Sequence, residues 1–183
     1  MNIKNRRITV FAMTVLISLA GCSREVCSVG DMRITEKDIK LRAKVSEVFF
    51  PQNKSEHAAL AQLIRGYVSL QIARSLGYET SQRAIEEEAN RIDRDTKAPE
   101  ILKKIKAVYG GDRKGYLNTF VTVVYAERLL YQESLLPTKS GRTIQYDEWF
   151  REKASMIPVR IHDQNLKAGF LKNISWANAL KLE

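Results

Sequence analysis

Between Ser55 and Gly77 the chain carries Leu60, Leu63, Ile64, Tyr67, Val68, Ile72 and Leu76 at steps of three and four residues. That spacing lays one wide apolar stripe along a helix. Such a helix is stable in water only when another element covers the stripe, so this segment requires a packed partner element. Ser55 supplies an N-cap, and Gly77 supplies a residue suited to a left-handed C-terminus. The rest of the composition agrees. With 183 residues, 28% charged, 44% hydrophobic, 9 Gly and 4 Pro, the chain is neither collagen-like nor disordered, and it suits one domain.

The flanking segments supply partners for the stripe. Val26–Val29 is a short β-type run, Gly30-Asp31 a turn signal, and Met32-Arg33-Ile34 follows. Thr35 with Asp38 three residues on forms a capping-box pattern, which predicts a helix over 36–49 that stops before Pro51. Ser81 caps a polar helix through about Asp95. Its Glu86-Glu87-Glu88 run points three ways around a helix, so it reads as a solvated face, with Glu87 spaced to pair with Arg91. Ala98–Tyr109 forms a further helix with Ile101, Leu102, Ile105 and Val108 on one side, and Gly110-Gly111 ends it. From Asp112 to about Leu136 runs the longest segment. Its β-branched middle, Phe120–Tyr125, has strand propensity, but its flanks and length predict a buried central helix. After a linker at Pro137–Gln145, Tyr146–Met156 is a short helix with Trp149, Phe150 and Ala154 inward. Pro158–His162 then alternates like a strand, which is expected to pair within Val26–Ile34. Residues 164–183 read as a tail, where Gly169 and Asn173 undermine a weak helical pattern.

The start of the chain is a targeting signal. Lys4, Arg6 and Arg7 precede an uncharged run of 13 residues, Ile8 to Ala20. A membrane span needs about 20 apolar residues, so the run suits a signal peptide over residues 1–21. Leu19-Ala20-Gly21-Cys22 resembles the lipobox of bacterial lipoproteins. The resemblance implies cleavage before Cys22 and acylation of that cysteine, hence a periplasmic protein anchored to the membrane by its N-terminal lipid. Ser23, rather than Asp, follows the cysteine, which in that family points to the outer membrane rather than the inner. Cleavage removes three cations and no anions, so the net charge falls from +9 to +6. That balance is compatible with acidic head groups or clients, but no basic cluster is dense enough to argue for nucleic acid. Cys27 is left without a partner and reads as a small apolar strand residue.

No residue pattern argues for catalysis. His57 and His162 lie at a helix start and on a terminal strand, with no nucleophile placed beside either. Phosphate-binding glycine loops, HExxH and CxxCH are absent, so no metal or cofactor is expected. Gly110-Gly111-Asp112 resembles a glycine pair of parvulin-type prolyl isomerases. Without the surrounding strands of such a domain, it reads as a helix break followed by an N-cap.

The order of segments resembles the chaperone domain of SurA-like periplasmic folding factors. A strand, a turn and Ile34-Thr35-Glu36 opening a helix, then the helix over Ala59–Gly77, are similar to that domain's start. Ala73, Leu76, Gly77 and Ser81 match its "A-x-x-L-G" and capped third helix. Tyr109-Gly110 with Tyr116-Leu117, and Tyr146–Ile161, are similar to its later helices and closing strand. The resemblance implies a mainly α fold over residues 22–163, with a small β-sheet formed by segments near its two ends. In many relatives a parvulin domain separates the long helix from the closing helix. Here Pro137–Gln145 is too short to hold one. The expectation is a non-enzymatic chaperone or assembly factor that binds unfolded or partly folded exported polypeptides in an apolar groove. Phe49, Phe50, Tyr67, Tyr116, Phe120 and Tyr125 are candidate groove positions, with core packing the alternative for each. The alternative function is a dedicated structural or interaction lipoprotein subunit of one envelope or export machine.

Overall fold

The structure is a computed structural model that describes residues 23–52, 55–134 and 146–183. The expected signal segment, the expected lipidation position Cys22 and the Pro137–Gln145 linker lie outside the described residues. The described chain is mainly helical, with one small sheet that gathers both of its ends.

Strand β1 (Glu25–Val29) turns through Gly30 into β2 (Met32–Thr35). Thr35 then starts helix α1 (Glu36–Phe49) with the expected capping box. The Asp38 amide donates to Thr35 Oγ1 at 3.2 Å, and the Thr35 amide donates to Asp38 Oδ2 at 2.9 Å. Strand β3 (Pro158–Ile161) pairs antiparallel with β1, setting Cys27 opposite Ile161 and Val29 opposite Val159. The closing strand therefore meets the opening one, as its short apolar alternation requires. Cys27 is fully buried in this sheet as a free thiol, and burial pushes its pKa up to about 12.

Helix α2 (Glu56–Ser75), capped by Ser55, is the centre of the core. Its stripe residues Leu60, Leu63, Ile64, Tyr67, Val68 and Ile72 are all buried. Gly77, at φ +87°, ends it: its amide donates to Arg74 O and the Tyr78 amide donates to Ala73 O, a Schellman pattern. Helices α3 (Gln82–Asp95) and α4 (Pro99–Tyr109) follow, and Gly110 at φ +53° closes α4. Asp112 then caps a long helical run: α5 (Arg113–Tyr116), a π-helical turn (Leu117–Val121) and α6 (Thr122–Ser134). The β-branched stretch is thus helical and buried, because it packs on α2. A Cβ added to Gly66 would fall 2.6 Å from Val123 Cγ2, so the absence of a side chain there lets the two helices approach. Arg42 bridges Gln62 of α2 and the Thr119 carbonyl.

The π-helical turn departs from the uninterrupted helix expected. Its shifted hydrogen bonding is matched by side chains. Thr122 Oγ1 donates to Leu117 O at 2.9 Å, Tyr67 OH donates to Asn118 O at 3.4 Å, and Arg42 donates to Thr119 O at 3.2 Å.

Helix α7 (Tyr146–Ala154) buries Phe150 and Ala154, and the Arg65 guanidinium stands 4.9 Å from the Phe150 ring centroid. The segment 164–183 is not a tail outside the fold. Helix α8 (Gln164–Asn173) buries Phe170, which meets Trp176 edge-on at 5.7 Å. After a short 3₁₀ turn at Ala177–Ala179, β4 (Lys181–Leu182) adds to the sheet parallel to β3, giving the order β2-β1-β3-β4. Gly169, which weakens the helical pattern in sequence, is the packing residue of α8: a Cβ there would collide with the His57 imidazole.

The acidic run also differs from expectation. Glu88 is buried rather than solvated. Arg91 and Arg128 each donate two hydrogen bonds to its carboxylate at 2.6–3.2 Å, while Glu87 pairs with Arg83 instead of Arg91. Burial pushes the Glu88 pKa up, but the bonds from both guanidiniums outweigh it and hold the carboxyl below its ordinary range.

Candidate functional site: the far end of helix α1

The six candidate groove aromatics separate into two groups. Tyr67, Tyr116, Phe120 and Tyr125 are buried in the helical body. Tyr67 and Tyr125 have their hydroxyls bound to the carbonyls of Asn118 and Glu79, and Tyr116 stacks on Phe120 with centroids 5.6 Å apart. These four are core residues, although Tyr67 and Tyr116 also reach the walls of surface clefts. Their burial follows from the π-helical turn and α6 packing against α2 and α3, an arrangement made between segments distant in sequence.

Phe49 and Phe50 are different. They are 48% and 64% exposed, at the end of a helix whose other apolar residues face inward. The geometry is local. The Phe50 amide donates to Ser46 O at 2.8 Å, and Phe50 leaves helical geometry at φ −136° just before Pro51, which cannot continue the helix. Ser46 is pinned on its inner side by Gln62, whose Oε1 accepts from Ser46 Oγ at 3.2 Å and from Arg42 Nε at 2.6 Å. The last turn of α1 is thus held by buried polar contacts, and it projects two adjacent rings into water. Fully burying a phenylalanine side chain stabilises by roughly 1.5–3 kcal/mol, which is what an apolar partner gains by covering each ring.

A cleft on the same body is of another kind. About 440 Å³ lies between β2, the start of α1 and the start of α5, lined by Met32, Arg33, Lys37, Asp38, Asp112 and Lys114 among others. Lys37 Nζ stands 2.6 Å from Asp112 Oδ2, and this pairing holds the Asp112 carboxyl below its usual range. Lys37 and Arg33 on its walls are both engaged in ion pairs, with Asp112 and with Glu25. His162 faces Glu25 at 3.3 Å, and His57 packs on Gly169. Among the described residues no group of His, Cys, Asp and Glu is arranged to hold a metal ion, and no helix is long and apolar enough to cross a membrane. No protein-family model, curated protein or solved structure matches the chain.

Proposed function

We propose that the mature chain is a lipid-anchored periplasmic protein, tethered through Cys22 to the outer membrane, that binds unfolded or partly folded exported polypeptides without turnover. The reading draws on the lipobox-like Leu19-Ala20-Gly21-Cys22 and on the SurA-like order of segments. The observation that carries it is the exposed Phe49–Phe50 pair on a turn held by Ser46, Arg42 and Gln62. In this account the contact with a client is small. It is an apolar anchor that takes one hydrophobic segment at a time, not a long cradle. No step of bond making or breaking is involved, and no residue is assigned a catalytic role.

The test is suppression of aggregation. The native lipoprotein should slow light scattering by a denatured outer-membrane β-barrel polypeptide at near-equimolar amounts, and the Phe49→Ser/Phe50→Ser variant should not. It should leave cis–trans exchange of a prolyl peptide at its background rate. A second reading is a dedicated subunit of one envelope machine. It is favoured by the burial of Tyr67, Tyr116, Phe120 and Tyr125, which removes four of the six positions a broad groove would use. No suppression, together with tight binding to one folded envelope protein at a fixed ratio, would establish it instead.

A further inference from the structure

The lipid attachment and the folded body are separated by almost no chain. Ser23 is already part of the fold: its Oγ accepts from the Lys37 amide at 3.0 Å. The Arg24 carbonyl accepts from the Glu36 amide at 3.0 Å, and β1 begins at Glu25. Successive residues along a chain lie about 3.8 Å apart, so a lipid on Cys22 is within one residue of a rigid element. A flexible linker of tens of residues would let a domain tumble freely above a bilayer. A link of one residue does not.

We propose that the face around Ser23 rests against the phospholipid head groups, and that the anchor thereby fixes the orientation of the whole domain. This rests on acylation of Cys22. The face is built from Arg24, Arg33 and Lys37, whose side chains are 65%, 78% and 60% exposed, with the start of α8 beside them. Arg24 meets Glu36 at 3.9 Å and Asp163 at 3.7 Å, and Arg33 meets Glu25 at 3.3 Å. These are long or exposed ion pairs of small net worth, so head-group phosphates can compete for the guanidiniums. The face is not an excess of positive charge. What selects it is the position of the tether.

The orientation has a functional consequence. Helix α1 starts beside Ser23 and has 14 residues, a length of about 21 Å at 1.5 Å per residue. The Phe49–Phe50 end thus lies that distance along α1 from the tethered end, and the proposed orientation turns it to the aqueous side rather than to the acyl chains.

The experiment uses the native acylated chain in vesicles of phosphatidylethanolamine and phosphatidylglycerol doped with a head-group nitroxide lipid. Single cysteines are introduced by Arg33→Cys, Asn165→Cys and Gln52→Cys and labelled with a small fluorophore. Cys27 stays silent because it is fully buried. Quenching at positions 33 and 165 should exceed that at 52 several-fold. Equal quenching at all three, or stronger quenching at 52, on protein whose intact mass shows the acyl chains, overturns the orientation while leaving the anchor in place. An unacylated first residue overturns the anchoring itself, and the orientation with it.

Discussion

Gly66→Ala measures how tightly α2 is held against α6. Alanine improves helix propensity over glycine by about 1 kcal/mol, so on an isolated helix the change would stabilise. Here the new Cβ would lie 2.6 Å from Val123 Cγ2, 3.0 Å from its Cβ and 3.1 Å from its Cα. The last of these atoms is backbone, so the helices themselves must part. Overpacking of this kind costs about 1–3 kcal/mol, leaving a net loss of about 1 kcal/mol. Val123 is 2% exposed, and Val123→Ala alone should cost about 2–3 kcal/mol from lost burial and the cavity left behind. In the double variant the Cγ2 clash is gone, but the crowding against the Val123 main chain remains. The two losses should therefore sum to about 1 kcal/mol less than their separate values. Urea unfolding followed by circular dichroism reads this as midpoint shifts, at about 1–3 kcal/mol per molar of denaturant. A stabilised Gly66→Ala, or losses additive to within about 0.5 kcal/mol, would refute the close approach.

Three further outcomes are expected. Glu88→Gln should destabilise by about 1–3 kcal/mol, less than for a wholly buried pair because Arg91 and Arg128 keep part of their hydration; the same unfolding curves check it. Because the folded-state pKa of Glu88 is depressed, its contribution is complete above the unfolded value of about 4.3 and is lost as pH falls through the folded value. The Glu88→Gln variant should accordingly show a shallower loss of stability below pH 4 than the parent. Cys27, buried and with its thiol pushed up to about 12, should resist iodoacetamide at pH 8 in native protein and react after unfolding, as intact mass would show.

Elements whose cause lies within a few residues were legible in the sequence. Thr35 with Asp38, Ser55, Ser81 and Gly110 each act on their own helix end, and the structure places them there. The α2 stripe was legible for the same reason. What escaped depends on contacts across the chain. Glu88 looks like one of three solvated acids until Arg128, 40 residues on, arrives beside it. Gly169 reads as a weakness in a helix until His57 occupies the space it leaves. The π-helical turn has no local signature, because Arg42 and Tyr67 reach in from other helices to satisfy its carbonyls. The candidate site divides along the same line. Phe49 and Phe50 are exposed by a local event, a helix ending at a proline. The other four aromatics are buried by tertiary packing that periodicity alone does not report.

In the proposed function, exported chains are held at the end of α1 and not in the aromatic core. Placing a photoreactive phenylalanine analogue at position 50, and separately at position 125, tests it on the purified protein mixed with a denatured outer-membrane β-barrel polypeptide. Crosslinks to the client are expected from position 50, competed away by a second unfolded chain, and none from the buried position 125. Crosslinking from 125 with none from 50 would contradict it.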